Sequence, residues 1–231
     1  MNPKSRGCGK TRLIPLALIL LAPLNTLGAL PPKVAEGKLT TSGRHLPATE
    51  ITKPGWAMDL GGAIPHLAEE PIYADSNNIT GKPLIGKNAR PYADAGLAKA
   101  LASAAEALAK KGYGVAPHDA YRPHKATLKP WNAARELGLP DNTYACPYQA
   151  SDHNRGAAVD ISLYRLDGHA GPERPSPIGE KEPNEISEEA KNHKDLLRQT
   201  MRAAGFDGHP SEWWHFSYPP ARVNMPGDWK P

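Results

Sequence analysis

Ser151-Asp152-His153-Asn154-Arg155-Gly156-Ala157-Ala158-Val159-Asp160 sets a histidine and an aspartate around one glycine and two alanines, and runs on into Ile161-Ser162-Leu163. Histidine and aspartate both ligate metal ions, and small residues between them let the backbone curl closely. From Ala157 to Tyr164, Val159, Ile161 and Leu163 alternate with Asp160 and Ser162. That period of two predicts a strand whose apolar face joins the core while Asp160 is held on the opposite face.

Further along, Glu212-Trp213-Trp214-His215 opens an aromatic run to Tyr218 that also reads as a strand. Residues three apart on a strand point to opposite faces, so Glu212 must sit where the chain bends into it, after Gly208, Pro210 and Ser211. Upstream, Tyr113 to Tyr121 reads as a strand delivering Asp119-Ala120-Tyr121-Arg122-Pro123, with Pro123 keeping Arg122 out of helical geometry. The clearest helix spans Asp94 to Lys111. Leu97, Leu101, Ala104, Ala105 and Leu108 recur at helical spacing, Asp94 is the N-cap, and Gly112 ends it. Lys125 to Leu137 and Glu188 to Ala204 are further helices, the latter capped by Ser187. Pro71 to Ile85 reads as short strands and turns, and Asp167 to Asn184 as a Pro/Gly loop. Strands and helices do not alternate strictly. The expected fold is therefore α+β: a single domain with a central antiparallel sheet flanked by helices and the metal site on the sheet.

The chain has 231 residues. Residues 1–29 carry Lys4, Arg6, Lys10 and Arg12 ahead of the apolar run Leu13 to Leu24, with small residues after it, the pattern of a secretory signal peptide. Without those four residues the 28 basic and 24 acidic side chains come into balance, so charge gives no argument for nucleic acid or an anionic membrane, and no stable membrane insertion is expected after cleavage. Cys8 leaves with the leader. Cys146 then stands alone without a disulfide partner, which fits an exported bacterial protein, periplasmic or secreted, better than a disulfide-stapled domain. Residues 30–70 are punctuated by proline and glycine and read as an N-terminal arm, leaving 71–231 as the catalytic domain.

His153, Asp160 and His215 together supply two nitrogens and one oxygen. Three protein ligands with an open fourth position are the pattern of a catalytic zinc site, one Zn2+ per chain. Glu212 is placed to take a proton from water and pass it to a leaving amine, and Arg122 to face a developing oxyanion. Each piece alone has a plainer explanation, such as an ordinary Asp119–Arg122 ion pair or Trp213 and Trp214 as core. Their joint occurrence carries the reading. His45, His66, His118, His124, His169, His193 and His209 lack such company and are assigned to surface, loop or supporting positions.

Ser151, His153, Gly156, Ala158 and Asp160 resemble the S-x-H-x-x-G-x-A-x-D pattern of the D-alanyl-D-alanine dipeptidase family of zinc peptidases, relatives of zinc D,D-carboxypeptidases. Glu212-Trp213-Trp214-His215 is similar to that family's E-x-W-H pattern, and Asp119 to Pro123 to its arginine segment. Tyr73-Ala74 with Asn78-Ile79-Thr80-Gly81 is similar to its N-terminal signature. The resemblance implies zinc on His153, Asp160 and His215, Glu212 as base and acid, Arg122 stabilising the transition state, and Tyr73 and Ser151 lining the substrate pocket. It also implies a small D,D-dipeptide as substrate. One departure stands out: the family's G-x-x-x-D run, whose acid meets the substrate ammonium, reads Gly179-Glu180-Lys181-Glu182-Pro183 here. Glu180, Glu182 and Glu185 are the substitutes on offer. The altered loop keeps open a D,D-carboxypeptidase or L,D-endopeptidase acting on stem peptides, and, with less support, a binding module without turnover. The sequence leaves the oligomeric state open.

Overall fold

The computed structural model describes residues 51–76, 78–139 and 150–223. The leader, the arm up to residue 50 and Cys146 lie outside the described residues. In chain order the elements are β1 (Ala57–Asp59), α1 (Leu60–Ala63), β2 (Tyr92–Asp94), α2 (Ala95–Ala109), β3 (Tyr113–Asp119), α3 (His124–Glu136), β4 (Ala158–Arg165), α4 (Glu188–Ala203), β5 (Asp207–Gly208) and β6 (His215–Ser217). Among them β3, β4, β6 and β5 form, in that order, an antiparallel sheet, and β1 pairs antiparallel with β2. The fold is α+β, as expected.

One face of the main sheet builds the core. Val115, Val159, Ile161, Leu163 and Phe216 pack with Leu97, Leu101 and Leu108 of α2 and with Leu197 and Met201 of α4. α2 starts where Asp94 accepts hydrogen bonds from the Gly96 and Leu97 amides at 2.7 and 3.2 Å, which satisfies two of the helix's orphan donors. Ser187 caps α4 in the same way through the Ala190 amide at 3.0 Å. Beyond the short β6, the Leu163 amide has no strand to bond and donates instead to His193 Nε2 of α4 at 3.3 Å. The opposite face carries Asp160 and Ser162, as the alternation predicts.

The structure departs from expectation in three places. Residues 51–70 were expected as part of an arm, yet β1 and α1 lie there, Leu60 and Ile64 sit in the core, and Leu67 bridges to Val115 at the edge of β3. Elements of three or four residues have no periodicity to read; pairing of β1 with β2 creates them. Pro71 to Ile85 holds a 3-10 turn, Ile72–Ala74, and no strand among the described residues. β3 ends at Asp119 rather than Tyr121, because Pro117 pairs with Ile161 while Asp119 pairs with Asp160, so His118 is an extra residue in the strand. Such a bulge re-aims the side chain after it. In regular pairing Asp119 would fall opposite Val159, on the core face; the bulge turns it to the face of Asp160.

Gly156 closes the turn between His153 and β4 with φ +65, the left-handed region. A Cβ there would overlap the Trp56 indole, which packs edge-on against Tyr121. Gly156→Ala should therefore lose about 2–4 kcal/mol through backbone strain plus overpacking. Gly168→Ala, at φ +77 with open space around it, should lose only the strain. Thermal melting of both variants checks this, and equal losses would contradict the packing argument.

Candidate active site

The pairing of three strands sets a row of side chains across the sheet. Asp119 of β3 lies opposite Asp160 of β4, and Asp160 lies opposite His215 of β6. Directly paired residues project on the same face. His153 joins them from the 3-10 turn His153–Arg155. His215 Nδ1 is 3.0 Å from Asp160 Oδ1 and 3.2 Å from His153 Nε2, and His153 Nε2 is 3.4 Å from Asp160 Oδ1. Two ligand atoms held tetrahedrally at about 2.0–2.1 Å from one ion are about 3.3–3.4 Å apart. The triangle formed by these three atoms matches that spacing closely, and the donor set of two imidazoles and one carboxylate suits a borderline ion. These three residues can hold a metal ion.

The surrounding groups commit the ligands. His153 Nδ1 lies 2.9 Å from the Ala120 carbonyl, which can only accept, so Nδ1 carries a proton and Nε2 is the ring atom left for an ion. Burial alone would lower the His153 pKa, but the Asp160 and Asp119 carboxylates outweigh it and raise it to about 9. For Asp160, burial pushes upward and is overcome by His153 and His215, which hold the carboxyl well below its ordinary value. The buried Asp119 carboxyl is pushed up by burial against the pull of Arg122 and His153.

Arg122 is buried. Its Nη1 donates to Asp119 Oδ2 at 2.6 Å, its Nε to Thr127 Oγ1 at 3.1 Å, and its guanidinium lies 5.3 Å from the centre of the Tyr73 ring. Asp119 Oδ2 is also 3.4 Å from His153 Nδ1, so one carboxylate stands between the arginine and a metal-site histidine. Burial works against its charge, but Asp119, Tyr73, Asp160 and Glu212 raise its pKa further. Glu212 sits in the bend before β6, where sequence reasoning required it. Its Oε2 is 3.8 Å from His215 Nδ1, and its side chain is 41% exposed, beside the metal-site atoms and open to solvent.

Ser151 is engaged locally: its amide and hydroxyl both donate to Asn154 Oδ1 at 3.1 Å. Tyr73 is buried beside Arg122. Sequence reasoning missed Asn154. Its Nδ2 donates to the Arg122 carbonyl at 2.8 Å and to Thr127 Oγ1 at 3.0 Å, so all four hydrogen-bonding positions of a fully buried amide are used. Asn154 thereby joins the turn bearing His153 to the segment bearing Arg122. The signal was a serine three residues ahead of an asparagine, a local turn pattern. Of the three acids after Gly179, Glu182 is paired with Lys194 of α4. The Glu180 carbonyl accepts from Ser176 Oγ at 2.9 Å, and Trp213 Nε1 donates to the same hydroxyl at 3.2 Å. His118 and His193 are buried, and burial lowers both pKa values; each is hydrogen-bonded at both ring nitrogens. His209 lies close to the site, with Nδ1 3.9 Å from Glu212 Oε1.

The chain matches the family model described as D-ala-D-ala dipeptidase over residues 56–171 and 176–227. The break falls in the loop between β4 and α4. A D-alanyl-D-alanine dipeptidase of Enterococcus faecium is 34% identical over 165 residues, covering 62% of this chain and 82% of that protein. One of Escherichia coli K12 is 33% identical over 170 residues, covering 71% and 85%. One of Streptomyces coelicolor is 30% identical over 168 residues, covering 63% and 82%. With the family model spanning well over half of its length, this chain belongs to the D-Ala-D-Ala dipeptidase family of peptidases.

Proposed function

We propose that this protein is a zinc dipeptidase that hydrolyses D-alanyl-D-alanine or a similar D,D-dipeptide derived from the cell wall. The observation that carries the reading is the convergence of His153 Nε2, Asp160 Oδ1 and His215 Nδ1 within 3.4 Å of one another, with a carboxylate and a buried arginine beside them. A zinc ion held there supplies a Lewis acid that polarises a carbonyl and brings the pKa of a bound water to about 7.

The chain's own residues divide the remaining work. Glu212, half-exposed in the bend before β6, accepts the proton of the attacking water and returns it to the departing amine. Arg122 places a permanent positive charge, pre-set by Asp119 and Thr127, where the carbonyl oxygen becomes negative. Tyr73 backs the arginine and shapes that side of the pocket, and Ser151 lines the substrate pocket from the turn ahead of His153. Glu182 is neutralised by Lys194, which leaves Glu180 and Glu185 as acids for the substrate ammonium. Glu180 has the better support, because Ser176 ties its backbone to Trp213, the neighbour of Glu212. The basic and apolar stretch of residues 1–29 supports an exported protein, acting on wall fragments rather than on a cytoplasmic precursor.

A second reading, a D,D-carboxypeptidase or L,D-endopeptidase on stem peptides, is favoured by one observation: the family match breaks between residues 171 and 176, just before the loop that lacks the expected aspartate. Purified zinc-loaded protein should cleave D-Ala-D-Ala and leave a stem pentapeptide intact, with release of D-alanine as the readout. Glu212→Gln should lower turnover by a factor of about 10²–10⁴ while zinc content stays unchanged. Cleavage of the pentapeptide alone would overturn the dipeptidase assignment, and full activity in Glu212→Gln would remove Glu212 from its role.

The raised pKa of His153 gives a pH prediction. At pH 7.5, below about 9, the metal-free histidine is protonated, and an ion must displace that proton. Zinc affinity should rise at least about tenfold per pH unit between pH 6.5 and 8.5, and at pH 7.5 about two protons should leave per ion, one from His153 and most of one from the bound water. Calorimetric titration in buffers of different ionisation heat measures the proton count. A count of about one or less, which the bound water alone supplies, would show that His153 is already neutral.

A further inference from the structure

We propose that Ser217 and Asp152 are positioning residues that fix the tautomer and ring orientation of His215. The inference rests on the metal-site reading above and deepens it.

The period of two in β6 puts His215 and Ser217 on one face. His215 Nε2, the nitrogen turned away from the site, lies 3.2 Å from Ser217 Oγ. Ser217 Oγ lies 2.7 Å from Asp152 Oδ2, and Arg222 Nε donates to that same carboxylate oxygen at 2.9 Å. Ser217 is buried, and Arg222 comes from the 3-10 turn Pro219–Val223.

The chemistry of the chain fixes its direction. A hydroxyl has one proton and can either donate to an imidazole or accept from it. An ionised carboxylate accepts only. Ser217 therefore spends its proton on Asp152, and its oxygen is left to accept from His215. Nε2 of His215 must then carry a ring proton, which leaves Nδ1 as the atom whose lone pair can meet an ion held between Asp160 and His153. Without Asp152 the hydroxyl is free to turn and donate to Nε2. The ring proton would then move to Nδ1, the atom that has to meet the ion. A serine alone leaves the choice open, and the serine–aspartate pair closes it.

Asp152 also stands next to His153. Its backbone carbonyl accepts from the Arg155 amide at 3.1 Å and from the Ala157 amide at 2.8 Å, which shapes the turn that brings His153 round. Arg155 Nη1 in turn donates to the Arg222 carbonyl at 3.3 Å. One residue thus links the two histidines, which lie far apart in sequence, and the turn after β6 clamps both. The His153 ring is committed by a backbone carbonyl, which substitution cannot remove; the His215 ring depends on two side chains.

The test compares wild type with Ser217→Ala, Ser217→Thr and Asp152→Asn. Zinc affinity is measured at one pH by competition with a chelating dye. The protonated nitrogen of His215 is read by 15N NMR of the zinc-loaded protein, and melting of the metal-free form serves as the folding control. Ser217→Ala should weaken zinc binding by a factor of about 10–100, Asp152→Asn by about 10, and Ser217→Thr, which keeps the hydroxyl, by less than about 3. Wild type and Ser217→Thr should show the proton on Nε2. Zinc affinity in Ser217→Ala and Asp152→Asn equal to wild type would overturn the brace while leaving the metal site standing. So would a loss of metal-free melting temperature with affinity unchanged. A wild type that takes up no zinc would overturn both readings together.

Discussion

Antiparallel pairing of β4 with β6 puts Asp160 opposite His215, and almost everything else at the site depends on that register. A slip of one residue would send the ligands to opposite faces of the sheet. What prevents the slip is the other face. Val159, Ile161 and Phe216 are buried beneath α2 and α4, and a one-residue slip of β6 would turn Phe216 out of the core as it turned His215 in. The core therefore specifies the geometry with which Asp160 and His215 meet, and the polar face need not hold itself together unaided. Repulsion and desolvation among its buried charges are absorbed by a sheet whose stability comes from elsewhere.

On that polar face, charges are buried in matched pairs. Asp119 meets Arg122 and His153, and Asp160 meets both histidines. Removing one partner from such a set leaves an uncompensated charge and is strongly destabilising. The pairing also has a chemical use. It keeps Arg122 charged in a buried position and holds the three candidate ligand atoms at near-coordination spacing, so an ion bound there would need little reorganisation. Glu212 is the exception among the acids at the site. It is half-exposed and lies in a bend rather than a strand, which gives the proton transfer proposed for it access to water.

Much of this was legible in the sequence because it follows periodicity. The alternation in Ala157 to Tyr164 revealed β4 and the side on which Asp160 lies, helical spacing revealed α2, and serine and aspartate caps marked helix starts. The requirement that Glu212 occupy a bend came from the same rule about strand faces. What escaped was set by tertiary pairing. β1 and α1 are too short to carry a pattern, and Leu60 belongs to the core only because β1 finds β2. The placement of Asp119 depends on the bulge at His118, and a bulge leaves no signature in the order of residues. Asn154 looked like an ordinary turn residue bonded to Ser151, and only the meeting of two distant segments gives it its other two hydrogen bonds, to Arg122 and Thr127. Ser217 could have been found, since it lies two positions from His215 on a strand. That Asp152 completes its contact could not, because the two residues meet only through the fold.

The central proposal is that two atoms on one sheet face and a third from the turn before β4 form a single metal site. Zinc-edge X-ray absorption of the loaded protein tests it most directly. The account predicts one zinc per chain with a first shell of nitrogen and oxygen only, at about 2.0–2.1 Å, carrying the multiple-scattering signature of imidazole and losing part of it in His215→Ala. A shell containing sulfur at about 2.3 Å, or one unchanged when His215 is replaced, would contradict it.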